Sequence, residues 1–119
     1  MLVTKEFTFD AAHFLPSYNG KCENMHGHTY RLQVTVDGPL DKEGMVIDFA
    51  LLKKLVKEKI LTKLDHQVVN DTIEVASAEN ISIWIWDQLD GSPEFPEGVR
   101  LTEVRLWETA SSFVTYHGK

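Results

Sequence analysis

The sequence predicts an α+β fold with the element order β-β-α-α-β-β. Residues 2–13 and 26–37 alternate between apolar and polar side chains with the period of two that is typical of strands. Two stretches, which begin after Asp48 and after Ser77, carry apolar residues at helical spacing instead. Two segments rich in β-branched and aromatic side chains follow, and we interpret them as the last strands.

Composition and charge restrict the class of protein and its partners. The chain has 119 residues, enough to bury a core, and we expect one domain over residues 1–119. A net charge of −6 argues against binding to nucleic acid or to an anionic membrane surface. No apolar run approaches the roughly 20 residues of a membrane span, and the start of the chain lacks a signal-peptide pattern. Because Cys22 is the only cysteine and cannot form an internal disulfide, we expect a cytoplasmic protein.

The first two strands carry three histidines on their apolar faces. His13 lies at the end of the first strand, and His26 and His28 lie at the start of the second. If the two strands pair antiparallel, these ends lie side by side, and side chains of equal parity project from the same face. Neutral imidazole is a common zinc ligand, so the pattern predicts a metal site at this end of the hairpin.

The segment between the two strands, residues 14–25, has no helical pattern and contains Cys22. A connection of this length is more often functional than not. If the sulfur binds the ion, the result is a closed His3Cys site of the structural kind. If it lies beside the ion, its thiolate can act as a base or nucleophile, and Asp65 and His66 are candidates to support that role.

The rest of the chain provides two helices and two strands. Asp48 is the expected N-cap of a helix that runs through about Leu61, and Ser77 is the expected N-cap of the second helix. The last two strands are predicted at residues 99–108 and 111–117. Alternation within the first of them places Glu108 on the same face as the buried apolar residues.

Taken together, these motifs resemble the 6-pyruvoyltetrahydropterin synthase family. The motifs occur in the family's order along nearly the whole chain: His13, Cys22-x3-His26-Gly-His28, Leu64-Asp65-His66, Ser77-Ala78-Glu79-Asn80 and Glu108. The resemblance implies the tunnelling fold, a four-stranded antiparallel sheet with two helices on one face. It also implies an oligomeric barrel whose interior is lined by the polar face of residues 29–37. We expect a homo-oligomer, a hexamer of two stacked trimers, with sites for a pterin triphosphate at the subunit interfaces.

The resemblance also implies roles for individual residues. The expected ligands of Zn²⁺ are His13, His26 and His28. Cys22 would be the catalytic thiolate and general base, with Asp65 and His66 completing the proton-transfer set. Glu108 would anchor the pterin ring, and Ser77 would contact the substrate. The resemblance does not assign the cations that bind the triphosphate, and Lys21 and Arg31 are candidates for that role.

Three residues separate Cys22 from His26, a spacing that resembles the bacterial 6-carboxy-5,6,7,8-tetrahydropterin synthases of queuosine biosynthesis. The 6-pyruvoyl enzymes of the family typically have a longer spacing. The implied reaction converts 7,8-dihydroneopterin triphosphate to 6-carboxy-5,6,7,8-tetrahydropterin and releases acetaldehyde and triphosphate. The alternatives are a 6-pyruvoyltetrahydropterin synthase and a non-catalytic module with structural zinc. One departure from the family is Ala76-Ser77, which stands where many members have two threonines or Pro-Thr.

Overall fold

Five strands form one mixed sheet in the computed structural model, which describes residues 1–16 and 24–119. The strands are β1 (Leu2–His13), β2 (His26–Asp37), β3 (Gln67–Val68), β4 (Arg100–Thr109) and β5 (Ser112–Tyr116). Their order across the sheet is β3-β1-β2-β4-β5. Three neighbouring pairs are antiparallel, and only β3 runs parallel to its neighbour β1.

The hairpin formed by β1 and β2 confirms the pairing on which the histidine argument depends. His13 lies opposite His26, and Ala11 lies opposite His28. Phe9, which shares their parity, is buried, whereas Asp10 is exposed. The alternation therefore has the expected physical origin: one face of each strand packs against the core, and the other does not.

The sheet differs from the expected four-stranded antiparallel one because β3 adds a fifth strand. β3 has only two residues, Gln67 and Val68, which pair with Ala11 and Ala12 of β1. The backbone N–H of His66 donates to the carbonyl oxygen of Asp10 at 2.6 Å, which brings the chain alongside β1. A strand this short cannot show a period-two pattern, so the sequence indicated only a helix exit at this point.

The two predicted helices are present, with the predicted N-caps. Helix α1 (Phe49–Val56) continues through a π-helical segment (Lys57–Leu61) into α2 (Thr62–Leu64), so the helical stretch extends beyond the predicted end. The Asp48 carboxylate accepts from the backbone N–H of Ala50 at 2.8 Å. Helix α3 (Ala78–Leu89) begins after Ser77, whose hydroxyl oxygen accepts from the N–H of Asn80 at 3.1 Å. Both caps satisfy donors that a helix start leaves unpaired.

The helices cover one face of the sheet and form the hydrophobic core with it. The core residues of the helices are Leu52, Val56, Ile60, Leu64, Ile81, Ile85 and Leu89. The sheet contributes Phe9, Ala11, Tyr30, Leu32, Val34, Val36, Leu101, Val104 and Leu106. Among the described residues, none of the helices has the length and apolar character that crossing a membrane requires.

The opposite, uncovered face of the sheet is largely polar, and no helix among the described residues packs against it. On this face Arg31 contacts the Glu6 carboxylate at 2.8 Å, and its guanidinium lies 4.2 Å from the ring centre of Trp107. The hydrogen bond from Arg31 is the main cause that lowers the pKa of Glu6. That this face lines an oligomeric barrel stays a prediction.

Candidate active site

Three imidazole rings meet at the end of the β1–β2 hairpin. The ring centres of His13, His26 and His28 lie 4.6–5.0 Å apart in pairs. The Nε2 atoms of His13 and His26 face each other at 3.2 Å. The hairpin register brings the three rings together, as their shared parity predicts, because His13 and His26 are directly paired and His28 lies on the same face.

Backbone carbonyls determine which nitrogen of two of these rings carries the proton. Nδ1 of His13 lies 2.6 Å from the carbonyl oxygen of Ala76, and Nδ1 of His26 lies 2.8 Å from that of Asn24. A carbonyl oxygen only accepts, so each Nδ1 must be the protonated donor. In the neutral rings both Nε2 atoms then present lone pairs to each other across 3.2 Å. This is the arrangement in which protein histidines bind a metal ion, with the other nitrogen held by a hydrogen bond.

The remaining atoms of the cluster are also suited to a cation. Nε2 of His28 is buried and has no hydrogen-bond partner among residues 1–16 and 24–119. Burial is the main cause that lowers the pKa of His28, while the nearby Glu108 carboxylate opposes that shift. The ring is therefore favoured in its neutral, metal-binding form. The donor set of three imidazoles and one carboxylate fits Zn²⁺.

Glu108 completes this cluster from β4. Its Oε1 atom lies 3.0 Å from Nε2 of His13 and 3.4 Å from Nε2 of His28. A β-bulge explains how it reaches them: Trp107 pairs with Phe113 and Thr109 with Ser112, so that Glu108 is the extra residue of β4. The prediction that Glu108 faces the helix-covered side is confirmed.

Tyr30 lies directly beneath the imidazoles. Its ring is fully buried, stacks on Phe9 at 4.9 Å, and meets the rings of His13 and His28 edge-on at 5.9 and 5.6 Å. Its hydroxyl has no hydrogen-bond partner within the described part of the chain. Burial, with a smaller contribution from Glu108, raises the pKa of Tyr30, so the phenol stays protonated. Sequence reasoning placed Tyr30 on the apolar face but gave it no role in the site.

Asp65 and His66 form a second cluster rather than joining the imidazoles. Nδ1 of His66 lies 3.0 Å from the Asp65 carboxylate, and the same carboxylate oxygen accepts from the backbone N–H of Asp10 at 3.0 Å. His66 adopts a left-handed backbone with φ of 59°, which is unusual outside glycine. The hydrogen bond from its N–H to Asp10 holds it there. This Asp–His contact, which adjacency alone does not guarantee, orients the imidazole.

A cavity of about 660 Å³ is lined by residues from both clusters. Its lining includes Asp10, Thr29 and His66, and also His28 from the imidazole cluster. The Asp10 carboxylate accepts from the Thr29 hydroxyl at 2.5 Å on the uncovered face of the sheet. His28 is the one residue of the imidazole cluster among those that line the cavity.

The other predicted site residues have different positions. Cys22 and Lys21 lie outside the described residues. Ser77 follows Ala76, whose carbonyl oxygen holds His13, but its own hydroxyl is engaged in capping α3. Arg31 lies on the uncovered face of the sheet, paired with Glu6.

Asn70 is a supporting residue that sequence reasoning interpreted only as part of a turn. Its side chain accepts from the N–H of Phe14 at 3.0 Å and donates to the carbonyl oxygens of Phe14 and Glu74 at 2.9 and 3.0 Å. It thereby ties the residue after His13 to the chain that leads into α3. The only sequence signal was an Asn-Asp pair, which is typical of turns in general.

Comparisons with known proteins agree with this geometry. The family model described as 6-pyruvoyl tetrahydropterin synthase matches residues 2–119. The chain is 38% identical to 6-carboxy-5,6,7,8-tetrahydropterin synthase of Haemophilus influenzae, over 96% of each chain. It is also 38% identical to 6-pyruvoyl tetrahydrobiopterin synthase of Dictyostelium discoideum, over 100% of this chain and 97% of that one. The structure of Caenorhabditis elegans 6-pyruvoyl tetrahydropterin synthase superposes with a TM-score of 0.88 at 30% identity, covering 100% of this chain and 96% of that one.

Proposed function

This chain belongs to the 6-pyruvoyl tetrahydropterin synthase family, and from that premise we propose that it is a zinc-dependent carbon–carbon lyase. The proposed reaction converts 7,8-dihydroneopterin triphosphate to 6-carboxy-5,6,7,8-tetrahydropterin, with release of acetaldehyde and triphosphate, in queuosine and other 7-deazapurine biosynthesis. The observation that carries the proposal is the convergence of His13, His26 and His28 with Glu108 at the end of the β1–β2 hairpin.

The three histidines hold the metal ion in this proposal. The carbonyl oxygens of Ala76 and Asn24 fix two of the rings with Nε2 unprotonated, so no proton has to leave those atoms before the ion binds. Zn²⁺ bound there supplies Lewis-acid chemistry, which polarises the hydroxyls of the substrate side chain and stabilises developing oxyanion charge.

Glu108 and Ser77 bind the substrate in this proposal. The pterin ring presents an amino group and an N–H as a pair of donors, which a carboxylate accepts in a bidentate way. The side chain of Glu108 is 29% exposed, which leaves it accessible to a ligand. Ser77 lies one residue from Ala76 and so is close to the ring of His13.

Cys22, Asp65 and His66 carry the proton transfers. The Asp65 carboxylate lies 3.0 Å from Nδ1 of His66, where it can orient the imidazole as the third member of a catalytic triad does. His66 is 76% exposed and lines the cavity, so it is accessible to a thiol or substrate that enters there. Cys22 is the thiolate base of this set. We place the complete site at an interface of a homo-oligomer, expected to be a hexamer.

The spacing between Cys22 and His26 favours the 6-carboxy reaction over the 6-pyruvoyl reaction. Sequence identity does not separate them, because relatives named for each activity are both 38% identical to this chain. The two reactions differ in their products: only the 6-carboxy reaction breaks a carbon–carbon bond of the side chain and releases acetaldehyde.

Product analysis with 7,8-dihydroneopterin triphosphate tests the proposal. Zinc-loaded protein should release acetaldehyde and triphosphate in equal amounts and form 6-carboxy-5,6,7,8-tetrahydropterin. Triphosphate without acetaldehyde would identify the 6-pyruvoyl reaction instead. Inertness toward this substrate, together with a zinc–sulfur bond to Cys22, would indicate the non-catalytic module.

A further inference from the structure

Three distances among four side chains at the end of the hairpin are close to the edges of a tetrahedral metal shell. The Nε2 atoms of His13 and His26 are 3.2 Å apart, and Oε1 of Glu108 lies 3.0 Å from His13 Nε2 and 3.4 Å from His28 Nε2. A tetrahedron with zinc–ligand bonds of about 2.0–2.1 Å has edges of about 3.3–3.4 Å. One possible ligand atom from each of His13, His26, His28 and Glu108 lies within 4.8 Å of the others.

We infer that the Glu108 carboxylate is the fourth ligand of the metal ion while no substrate is bound. The inference adds to the proposed function, in which Glu108 binds the pterin ring. One carboxylate then serves both roles in turn: it binds the ion in the resting protein and leaves it when the pterin's donors become available. The first role does not depend on the proposed reaction.

A hydrogen bond between Glu108 and a protonated His13 is the competing explanation of the 3.0 Å contact. This hydrogen bond accounts for only one of the three short distances between the donor atoms, that between Glu108 and His13. It leaves the 3.4 Å contact between Glu108 and His28 without hydrogen-bond geometry, since Nε2 of His28 has no such partner among the described residues. A single cation surrounded by the four atoms satisfies all of them and balances the negative charge of the carboxylate.

The strand supports a ligand role for Glu108. As the extra residue of a β-bulge, Glu108 is released from pairing with β5, and its side chain can turn toward the imidazoles. The side chain is only partly buried, so it has room to move away from the ion. Glu103 of the same strand offers a matched control, because its carboxylate contacts His117 and Arg105 instead.

The test is the affinity of the metal-free protein for Zn²⁺, measured by competition with a chromophoric chelator in the absence of any pterin. Glu108→Gln should raise the zinc Kd about 10- to 100-fold, the range that losing a metal-supporting group typically costs. Glu103→Gln should stay within about twofold of wild type. Because three histidines remain, Glu108→Gln should still bind one zinc at saturation. An unchanged zinc Kd in Glu108→Gln would overturn the inference.

Glu108→Asp separates coordination from the effect of charge at a distance. It keeps the charge but shortens the side chain by one methylene, so a ligand role predicts a zinc Kd well above that of wild type. A Kd equal to wild type in Glu108→Asp, with weaker binding in Glu108→Gln, would mean that only the charge matters and would overturn coordination. Far-UV circular dichroism of each variant checks that the fold is intact, because a misfolded variant would lose the β-sheet signal as well.

Cobalt substitution tests the rival fourth ligand. The Co²⁺ spectrum of wild type should lack a thiolate charge-transfer band and should change in Glu108→Gln. A thiolate band that disappears in Cys22→Ala would assign the fourth position to Cys22 and overturn the inference. Since these titrations contain no substrate, a protein inert toward pterins would refute the proposed function but not this result. A working lyase whose zinc affinity is unchanged in Glu108→Gln would refute this inference but not the proposed function.

Discussion

Asn70 should matter for stability far more than a surface turn residue does. Its side chain makes three hydrogen bonds to backbone groups, two to Phe14 and one to Glu74. A hydrogen bond contributes a net of about 0.5–1.5 kcal/mol, so the three sum to roughly 1.5–4.5 kcal/mol. The two bonds to Phe14 are partly buried and the bond to Glu74 is exposed. Water therefore replaces part of the loss, and we expect Asn70→Ala to cost about 2–3 kcal/mol.

Two further variants make this prediction sharper. Asn80 donates its side chain to one backbone carbonyl, that of Val75 at 3.0 Å, so Asn80→Ala should cost only about 1 kcal/mol. Asn70→Asp keeps the acceptor for the Phe14 N–H but turns a carboxylate toward two carbonyl oxygens. It should therefore destabilise the protein at least as much as Asn70→Ala.

The assay is urea unfolding of the metal-free proteins at one fixed protein concentration, because bound metal and subunit association both add apparent stability. The dependence of the unfolding free energy on urea should be similar in all variants, while the midpoints shift. A stability of Asn70→Ala within about 0.5 kcal/mol of wild type would refute the reasoning, since that is the range of an ordinary surface change. So would an Asn70→Asp variant as stable as wild type.

Three further predictions concern the substrate, the thiol and the assembly. Glu108→Gln should raise the KM for 7,8-dihydroneopterin triphosphate roughly 30- to 1000-fold, the equivalent of about 2–4 kcal/mol. The reason is that one carboxylate acceptor becomes an amide donor that faces a donor of the pterin. Near-normal kinetics would exclude Glu108 as the pterin anchor. Cys22→Ala should keep stoichiometric zinc but lose turnover, and loss of zinc would instead support a closed structural site. Light scattering should give a hexamer, because a barrel requires several copies of the sheet and unpaired edge strands favour association. A monomer at micromolar concentration would contradict the proposed site at a subunit interface.

The strands and the histidine cluster could be predicted because both depend on a local period of two. The parity of His13, His26 and His28, combined with antiparallel pairing, is sufficient to bring the three rings together. The last two strands also begin and end within one residue of the prediction. The strand predicted at 99–108 is Arg100–Thr109 in the structure, and the strand predicted at 111–117 is Ser112–Tyr116.

The fifth strand and the supporting residues could not be predicted in this way. β3 exists because the segment after α2 binds the backbone of Asp10, and local sequence does not encode such a contact. Asn70 holds Phe14 from 56 positions away in the chain. The carbonyl oxygens that fix the tautomers of His13 and His26 belong to the backbone of Ala76 and Asn24, where side-chain identity carries no signal.

The second cluster illustrates the same limit within the site. Asp65 and His66 were expected to complete the proton-transfer set, and a polar helix exit was the alternative interpretation of the same dipeptide. The structure pairs them with Asp10, separately from the three imidazoles, and holds His66 in a left-handed conformation. Their role with Cys22 stays a prediction.

The measurement that tests the central claim most directly is the zinc content of the purified protein and of five single variants, one for each histidine of the chain. Wild type should hold one zinc per chain. His13→Ala, His26→Ala and His28→Ala should lose most of that zinc, because each removes an imidazole of the cluster. His66→Ala and His117→Ala are matched controls and should keep it, since those rings contact Asp65 and Glu103 instead. Full zinc retention in any of the first three variants would remove that histidine from the metal site and contradict the account.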